Sequence, residues 1–281
     1  MVKESYDMFV EVNGTRICYD DRGEGDVPVI FIHGFPFDKS CWQPQLDSLQ
    51  RNFRVMAFDV RGYGRSPIGN KIPNIAVYAD DLVYFMDALR IRKAVVCGLS
   101  MGGYILMNAV SRYPERFEAM ILCDTQCIPD SPEMKIKREE SIIQVESGLL
   151  QQYAEQFVNK IFSSKTYMTN INLVKRIKEI ILSNSPSMVT AGLKALKDRD
   201  DMSPWINLIA IPTLIVCGEE DAVTPPVQSR ILYQQIERSE LALIPKAGHL
   251  SNLEQPEQFN QHLNTFLSKV LSVPGVLALW E

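Results

Sequence analysis

Ser100, His249 and Asp221 are the three side chains of this 281-residue chain whose types and surroundings suit nucleophilic attack on a carbonyl. A serine hydroxyl is a poor nucleophile until a base removes its proton, and the base needs a carboxylate to fix its tautomer and stabilise the imidazolium. Ser100 stands in Gly98-Leu99-Ser100-Met101-Gly102, a G-x-S-x-G pattern between the apolar run Ala94 to Cys97 and a helical spacing at Leu106, Ala109 and Val110. That context predicts strand, sharp turn and helix, with the serine exposed at the apex and glycines removing side chains that would collide there. The base follows by elimination. His33 belongs to the turn after an early apolar run, His262 falls within a C-terminal helical stripe, and only His249 occupies a loop behind a late strand.

The acid should lie on the strand loop ahead of that histidine. Gly218-Glu219-Glu220-Asp221-Ala222-Val223-Thr224-Pro225-Pro226 fills that place, and Asp221 is the preferred carboxylate, with Asp124, Glu219 and Glu220 as rivals. The tetrahedral intermediate of such a reaction also needs two preorganised N–H donors. Met101, directly after the nucleophile, would supply one. Phe35 would supply the other from His33-Gly34-Phe35-Pro36, because Gly34 permits the turn and Pro36 has no N–H to give.

An alternation of strands and helices must hold these residues. Asn13-Gly14 between two β-type runs signals a hairpin, and Val27 to Ile32 and Phe53 to Phe58 read as strands, the first as one covered on both faces. Further strands are expected over 94–97, 119–123, 213–217 and 241–244, with helices over 78–89 and from Pro256 to about Leu271. Between 130 and 205 no β-type run occurs, and helical stripes such as Tyr153, Phe157 and Ile161 succeed one another. The predicted architecture is α/β, a mostly parallel doubly wound sheet over 1–129 and 206–271 with an all-helical insertion over 130–205 and a tail at 272–281. Sites in such sheets form at the carboxyl ends of strands, where Phe35, Ser100, Asp221 and His249 all fall.

Composition narrows the partners. With 46% hydrophobic residues the chain can bury a substantial core, and its net charge of −5, from 34 acidic and 29 basic residues, argues against nucleic acid or an anionic membrane surface. No apolar stretch reaches the ~18 residues of a membrane span, and the N-terminus shows no secretory pattern. Cys97, Cys123 and Cys217 each end an apolar run and read as buried thiols, which points to a cytoplasmic protein. Cys123 and Cys127 lack a second pair at metal-ligand spacing, so neither a metal nor another cofactor is expected. Asp59-Val60-Arg61-Gly62-Tyr63-Gly64-Arg65-Ser66 lacks the Gly-Lys-Ser/Thr end of a phosphate-binding loop and reads as structural.

H-G-F-P at 33, D-V-R-G-Y-G-R-S at 59, G-L-S-M-G-G at 98, G-E-E-D at 218 and G-H-L-S-N-L-E-Q-P at 248 together resemble the α/β-hydrolases along nearly the whole chain. Within that family the elbow, the acid loop and the residues after the histidine are similar to 3-oxoadipate enol-lactonases and related carboxylesterases. The resemblance implies hydrolysis of a small ester or lactone through an acyl-serine intermediate, and it identifies the helical insertion with the family's cap, which shapes the pocket. Two departures bear on the reaction. Position 100 is serine where family dehalogenases carry aspartate, and Leu250 follows His249 where carbon–carbon bond hydrolases often place an aromatic. Perhydrolysis, carbon–carbon cleavage by the same three residues, and ligand binding without turnover are the alternative readings.

Overall fold

Residues 4–271 are described by the computed structural model, so the segment predicted as a tail lies outside the described residues. The chain opens on β1 (Glu4–Val12) and β2 (Thr15–Arg22), turned at Asn13 and Gly14 with φ of 47° and 79° as a tight hairpin requires. Six more strands follow: β3 (Val29–Ile32), β4 (Val55–Phe58), β5 (Ala94–Leu99), β6 (Phe117–Cys123), β7 (Thr213–Gly218) and β8 (Ser239–Ile244). They form one sheet in the order β1-β2-β4-β3-β5-β6-β7-β8. Only the β1/β2 and β2/β4 pairs are antiparallel.

Helices cover both faces. In chain order they are α1 (Gln43–Leu49), α2 (Ile75–Ala88), α3 (Met101–Arg112), α4 (Pro132–Glu146), α5 (Leu150–Ile161), α6 (Ser164–Thr169), α7 (Ile171–Ser183), α8 (Pro186–Lys197), α9 (Ser203–Ile206), α10 (Pro226–Gln235), α11 (Ser251–Glu254) and α12 (Pro256–Leu271). The period of two along the central strands sorts their side chains: Val29, Phe31, Val95, Cys97 and Leu99 pack with α1, α11 and α12, while Ile30, Ile32 and Val96 pack with α2, α3 and α10. Trp42, fully buried, fills the first layer between Phe31 and Phe259, with ring centroids 4.9 and 6.2 Å away.

The helices α4 to α9 stand between β6 and β7, where the absence of β-type runs placed an insertion. Ser131, Asn170 and Ser185 start α4, α7 and α8 by accepting a backbone N–H of the first turn, each a residue type that prefers this position. Their stripes join the two apolar layers of the sheet: Val158, Ile161, Ile177 and Ile181 join one, and Ile142, Val145, Met188 and Leu193 the other. All six cysteines are free and buried, and no helix among the described residues is long and apolar enough to cross a membrane.

The loop after β4 is built as structure. Asp59 accepts the N–H groups of Lys39 and Arg65, and burial pushes its carboxyl up to about 6. Arg61, fully buried, makes two 2.7 Å bonds to Asp81 of α2 and donates to the carbonyl of Asn13, so one guanidinium pins the opening hairpin to the core. Asp81→Ala leaves that guanidinium buried without its anion. The variant should lose about 3–5 kcal/mol of stability, read as a lower denaturant midpoint with the slope unchanged.

Candidate active site

Ser100 is the hinge between β5 and α3. Its φ of 52° and ψ of −110° lie where a side chain is strained, at a cost of about 1–3 kcal/mol that surrounding bonds must offset. They do so from three directions: the Ser100 N–H donates to Cys123 O at 2.9 Å, and its carbonyl accepts the Thr125 hydroxyl at 2.8 Å and the Gly103 N–H at 2.9 Å. The flanking glycines are there for contact distance. A Cβ on Gly98 would sit 2.3 Å from Gly102 O, and one on Gly102 would sit 2.4 Å from Ile32 O, so no larger residue fits while helix and strands are this close.

The Ser100 hydroxyl lies 2.9 Å from His249 Nε2, and His249 Nδ1 lies 2.8 Å from Asp221 Oδ2. All three residues are at most 9% exposed. Asp221 follows β7, and the turn brings the N–H groups of Val223 and Thr224 to its Oδ1 at 2.8 and 3.0 Å, while the Thr224 hydroxyl donates to Oδ2 at 2.8 Å. Burial alone would raise the Asp221 carboxyl, but His249 and the Thr224 donors hold it below its ordinary value of 3.8. Burial, the largest single influence, would lower His249, yet the charge and the hydrogen bond of Asp221, with smaller help from neighbouring acidic groups, together raise the imidazole above 6.5. An ionised Asp221 puts the imidazole proton on Nδ1 and leaves Nε2 to accept the Ser100 hydroxyl.

Of the two residues expected to give N–H donors, Met101 directly follows the serine in the chain and Phe35 directly follows Gly34, which packs near it. Met101 opens α3, where helical geometry leaves the first N–H groups without partners inside the helix. Phe35 lies in the loop after β3, and the neighbouring Gly34 is close enough to Ser100 that a Cβ there would meet the serine Cβ at 3.3 Å. His33 sets that loop from inside: Nδ1 donates to Gly34 O at 2.8 Å and Nε2 accepts the Val60 N–H at 2.9 Å. Burial pushes its imidazole down to about 4, which keeps it neutral and occupied. His262 is exposed on α12, away from this constellation.

The rival acids fall elsewhere. Glu219 and Glu220 are exposed, and the Asp124 carboxyl is turned to the Gly218 N–H and the Ser251 hydroxyl. Asp124, Cys217 and Asp221 do place three ligand-type atoms within 4.8 Å of one another. Each is already committed to hydrogen bonds, Cys217 Sγ to the Gly218 carbonyl at 3.4 Å.

Several supporting residues escaped the reading of the sequence. Thr224 solvates Asp221, and Glu254 accepts the N–H groups of Gly248 and Ser163, so it fastens the histidine loop to the end of α5. The His249 N–H itself donates to Ile161 O at 2.7 Å. Asn184, after α7, donates to Pro36 O at 2.9 Å and holds the Phe35 loop. Thr224 and Glu254 do stand inside the acid-loop and histidine motifs, and that position was the available signal.

Fold and constellation together define a hydrolase class. Residues 27–256 match the α/β hydrolase fold family, and the chain belongs to that family. It is 28% identical over 266 residues to 3-oxoadipate enol-lactonase 1 of Acinetobacter baylyi, covering 94% of this chain and 97% of that one. Among solved structures it is similar to a thermophilic esterase from Thermogutta terrifontis, with a TM-score of 0.89, 32% identity and coverage of 95% and 99% of the two chains. The enol-lactonase of Burkholderia xenovorans superposes with a TM-score of 0.87 at 26% identity, over 93% of this chain and all of that one, a coverage of 100%.

The contact between Asp221 and His249 has a direct readout. In an NMR titration His249 should protonate above pH 6.5. In Asp221→Asn, with the main opposing charge gone and burial unchanged, it should protonate at a lower pH than in the parent.

Proposed function

We propose that this protein is a serine hydrolase of small carboxylic esters or lactones, and that Ser100, His249 and Asp221 are its catalytic residues. One observation carries the reading: an unbroken line of hydrogen bonds from the Asp221 carboxylate through His249 to the Ser100 hydroxyl, at 2.8 and 2.9 Å, on a serine held in strained backbone. In the proposed cycle His249 Nε2 takes the hydroxyl proton as Ser100 Oγ attacks the carbonyl carbon. The resulting oxyanion is received by the N–H groups of Phe35 and Met101. His249 then gives its proton to the departing alkoxide, which in a lactone stays tethered to the acyl chain. A water molecule deprotonated by the same nitrogen releases the acid and restores the serine.

The helical segment 130–205 serves in this reading as a cap that shapes the acyl pocket. Phe35 meets Phe157 of α5 edge to face at 6.3 Å, and Tyr153 stacks on Phe157 at 5.8 Å, so the wall beside the oxyanion donors is aromatic. Such a wall suits a compact, largely apolar acyl group. The similarity to enol-lactonases, including the named protein of Acinetobacter baylyi, supports a lactone as substrate. No cofactor enters the cycle.

Ser100→Ala should reduce hydrolysis of a short p-nitrophenyl ester by about 10⁴- to 10⁶-fold, and a fluorophosphonate should label the parent at one serine and leave the variant unlabelled. The base must be neutral to act, and its imidazole is raised. The acid limb of kcat/KM should therefore fall above pH 6.5, with activity lost as pH drops through it. Unchanged turnover in the alanine variant would remove Ser100 from the reaction.

A further inference from the structure

Asp124 ends β6 with a φ of 45°, is fully buried, and pairs with no lysine or arginine among the described residues. Its carboxyl reaches two loops that are far apart in the chain. Oδ1 accepts the Gly218 N–H at 2.8 Å, at the start of the turn that carries Asp221, and Oδ2 lies 2.5 Å from the Ser251 hydroxyl, just behind His249.

A carboxylate oxygen of Asp124 also lies within 4.8 Å of one from Asp221. Two buried carboxyls at that distance ionise together only at high cost. The hydrogen bonds decide which one keeps the charge. Asp221 is met by four donors: two N–H groups, the Thr224 hydroxyl and the His249 ring. Asp124 is met by one obligatory donor, the Gly218 N–H, and by a hydroxyl that accepts as readily as it donates. A hydroxyl and a carboxylic acid can share this contact with the proton on either oxygen, so the bond to Ser251 does not require a charge on Asp124. Burial and the Asp221 charge push the Asp124 carboxyl well up, against a smaller pull from His249, Ser251 and Gly218. The other titratable groups facing it are the thiols of Cys123 and Cys217, both raised by burial and so uncharged.

We infer that Asp124 is a positioning residue that works as a neutral acid: carrying its own proton, it ties the Asp221 loop to the His249 loop without adding a second charge to the pair. Its kinetic consequence rests on the serine-hydrolase reading, whereas its protonation does not. An anion at this place would raise His249 further and deplete the neutral base. An apolar residue would leave Gly218 N–H and the Ser251 hydroxyl without their shared partner.

Infrared difference spectra of the parent protein against Asp124→Asn at pH 7 should show the C=O stretch of a protonated carboxyl in the parent alone. Lack of that band overturns the inference whether or not the chain hydrolyses esters. Failure of the parent to turn over any ester would instead count against the hydrolase reading, leaving the infrared result to stand by itself. With a p-nitrophenyl ester, Asp124→Asn keeps an acceptor for Gly218 and a donor for Ser251. It should hold kcat within about threefold and the acid limb of kcat/KM within about 0.3 pH. Asp124→Ala should lower kcat by at least about thirtyfold with KM little moved. Ser251→Ala should move kcat the same way by a smaller factor, and carries the kinetic test if Asp124→Ala does not fold; an unchanged kcat there then sinks the idea. An acid limb displaced downward by about one pH unit in the Asn variant would mean that Asp124 is an anion. That result, an Asn variant as impaired as the Ala variant, or a folded Ala variant as active as the parent, each overturns the inference.

Discussion

The negative charge of Asp221, only 3% exposed, constrains the whole carboxyl edge of the sheet. A buried carboxylate without donors would take up a proton instead, and the site would lose its anchor. The turn after β7 prevents this by folding Val223 and Thr224 back onto the carboxyl they follow. His249 Nδ1 then makes the second bond to Oδ2, beside the Thr224 hydroxyl. The aim of Nε2 at Ser100 is therefore a consequence of how the carboxylate is solvated, because a planar ring fixed at one nitrogen has little freedom at the other.

The imidazole also needs its backbone held, and the sheet does not do that. The His249 N–H is taken by Ile161 O at the end of α5, and Glu254 gathers the Gly248 and Ser163 N–H groups onto one half-buried carboxyl. Asn184, at the far end of α7, grips the Phe35 loop through Pro36 O. The helical segment thus touches both the His249 loop and the Phe35 loop by hydrogen bonds to their main chain. Its apolar stripes, Ile161 and Ile177 among them, merge into the layers that cover the strands, so it shares a core with the sheet it overlies.

How far each part could be read from the residues follows from the range of the forces involved. The apolar runs marked the strands, with small errors at their ends: β3 begins at Val29 and β6 at Phe117, because pairing with neighbours, including the shift between Ala94 and Val95, sets where a strand starts. Asn13-Gly14 acts within a few residues and was legible; the capping serines act over the same short range but were not singled out. Thr224 and Glu254 were not singled out, since a threonine or glutamate in a loop means nothing until the atoms it serves are known. Glu254 serves Ser163, whose place beside it depends on the path of the whole helical segment.

By itself, then, the order of residues determined the local devices: strand, turn and helix around Ser100, a loop carboxylate behind one strand and a loop histidine behind the next, all at one rim of a parallel sheet. Each of these depends on neighbours within a turn or two of chain. Tertiary structure alone decided that Asp221 and His249 meet at 2.8 Å, that His249 and Ser100 meet at 2.9 Å, and that the Asp124 carboxyl joins the loops instead of serving the imidazole. The distance between side chains on separate strands is set by strand order, register and the packing of both faces, and no short stretch of sequence contains that sum.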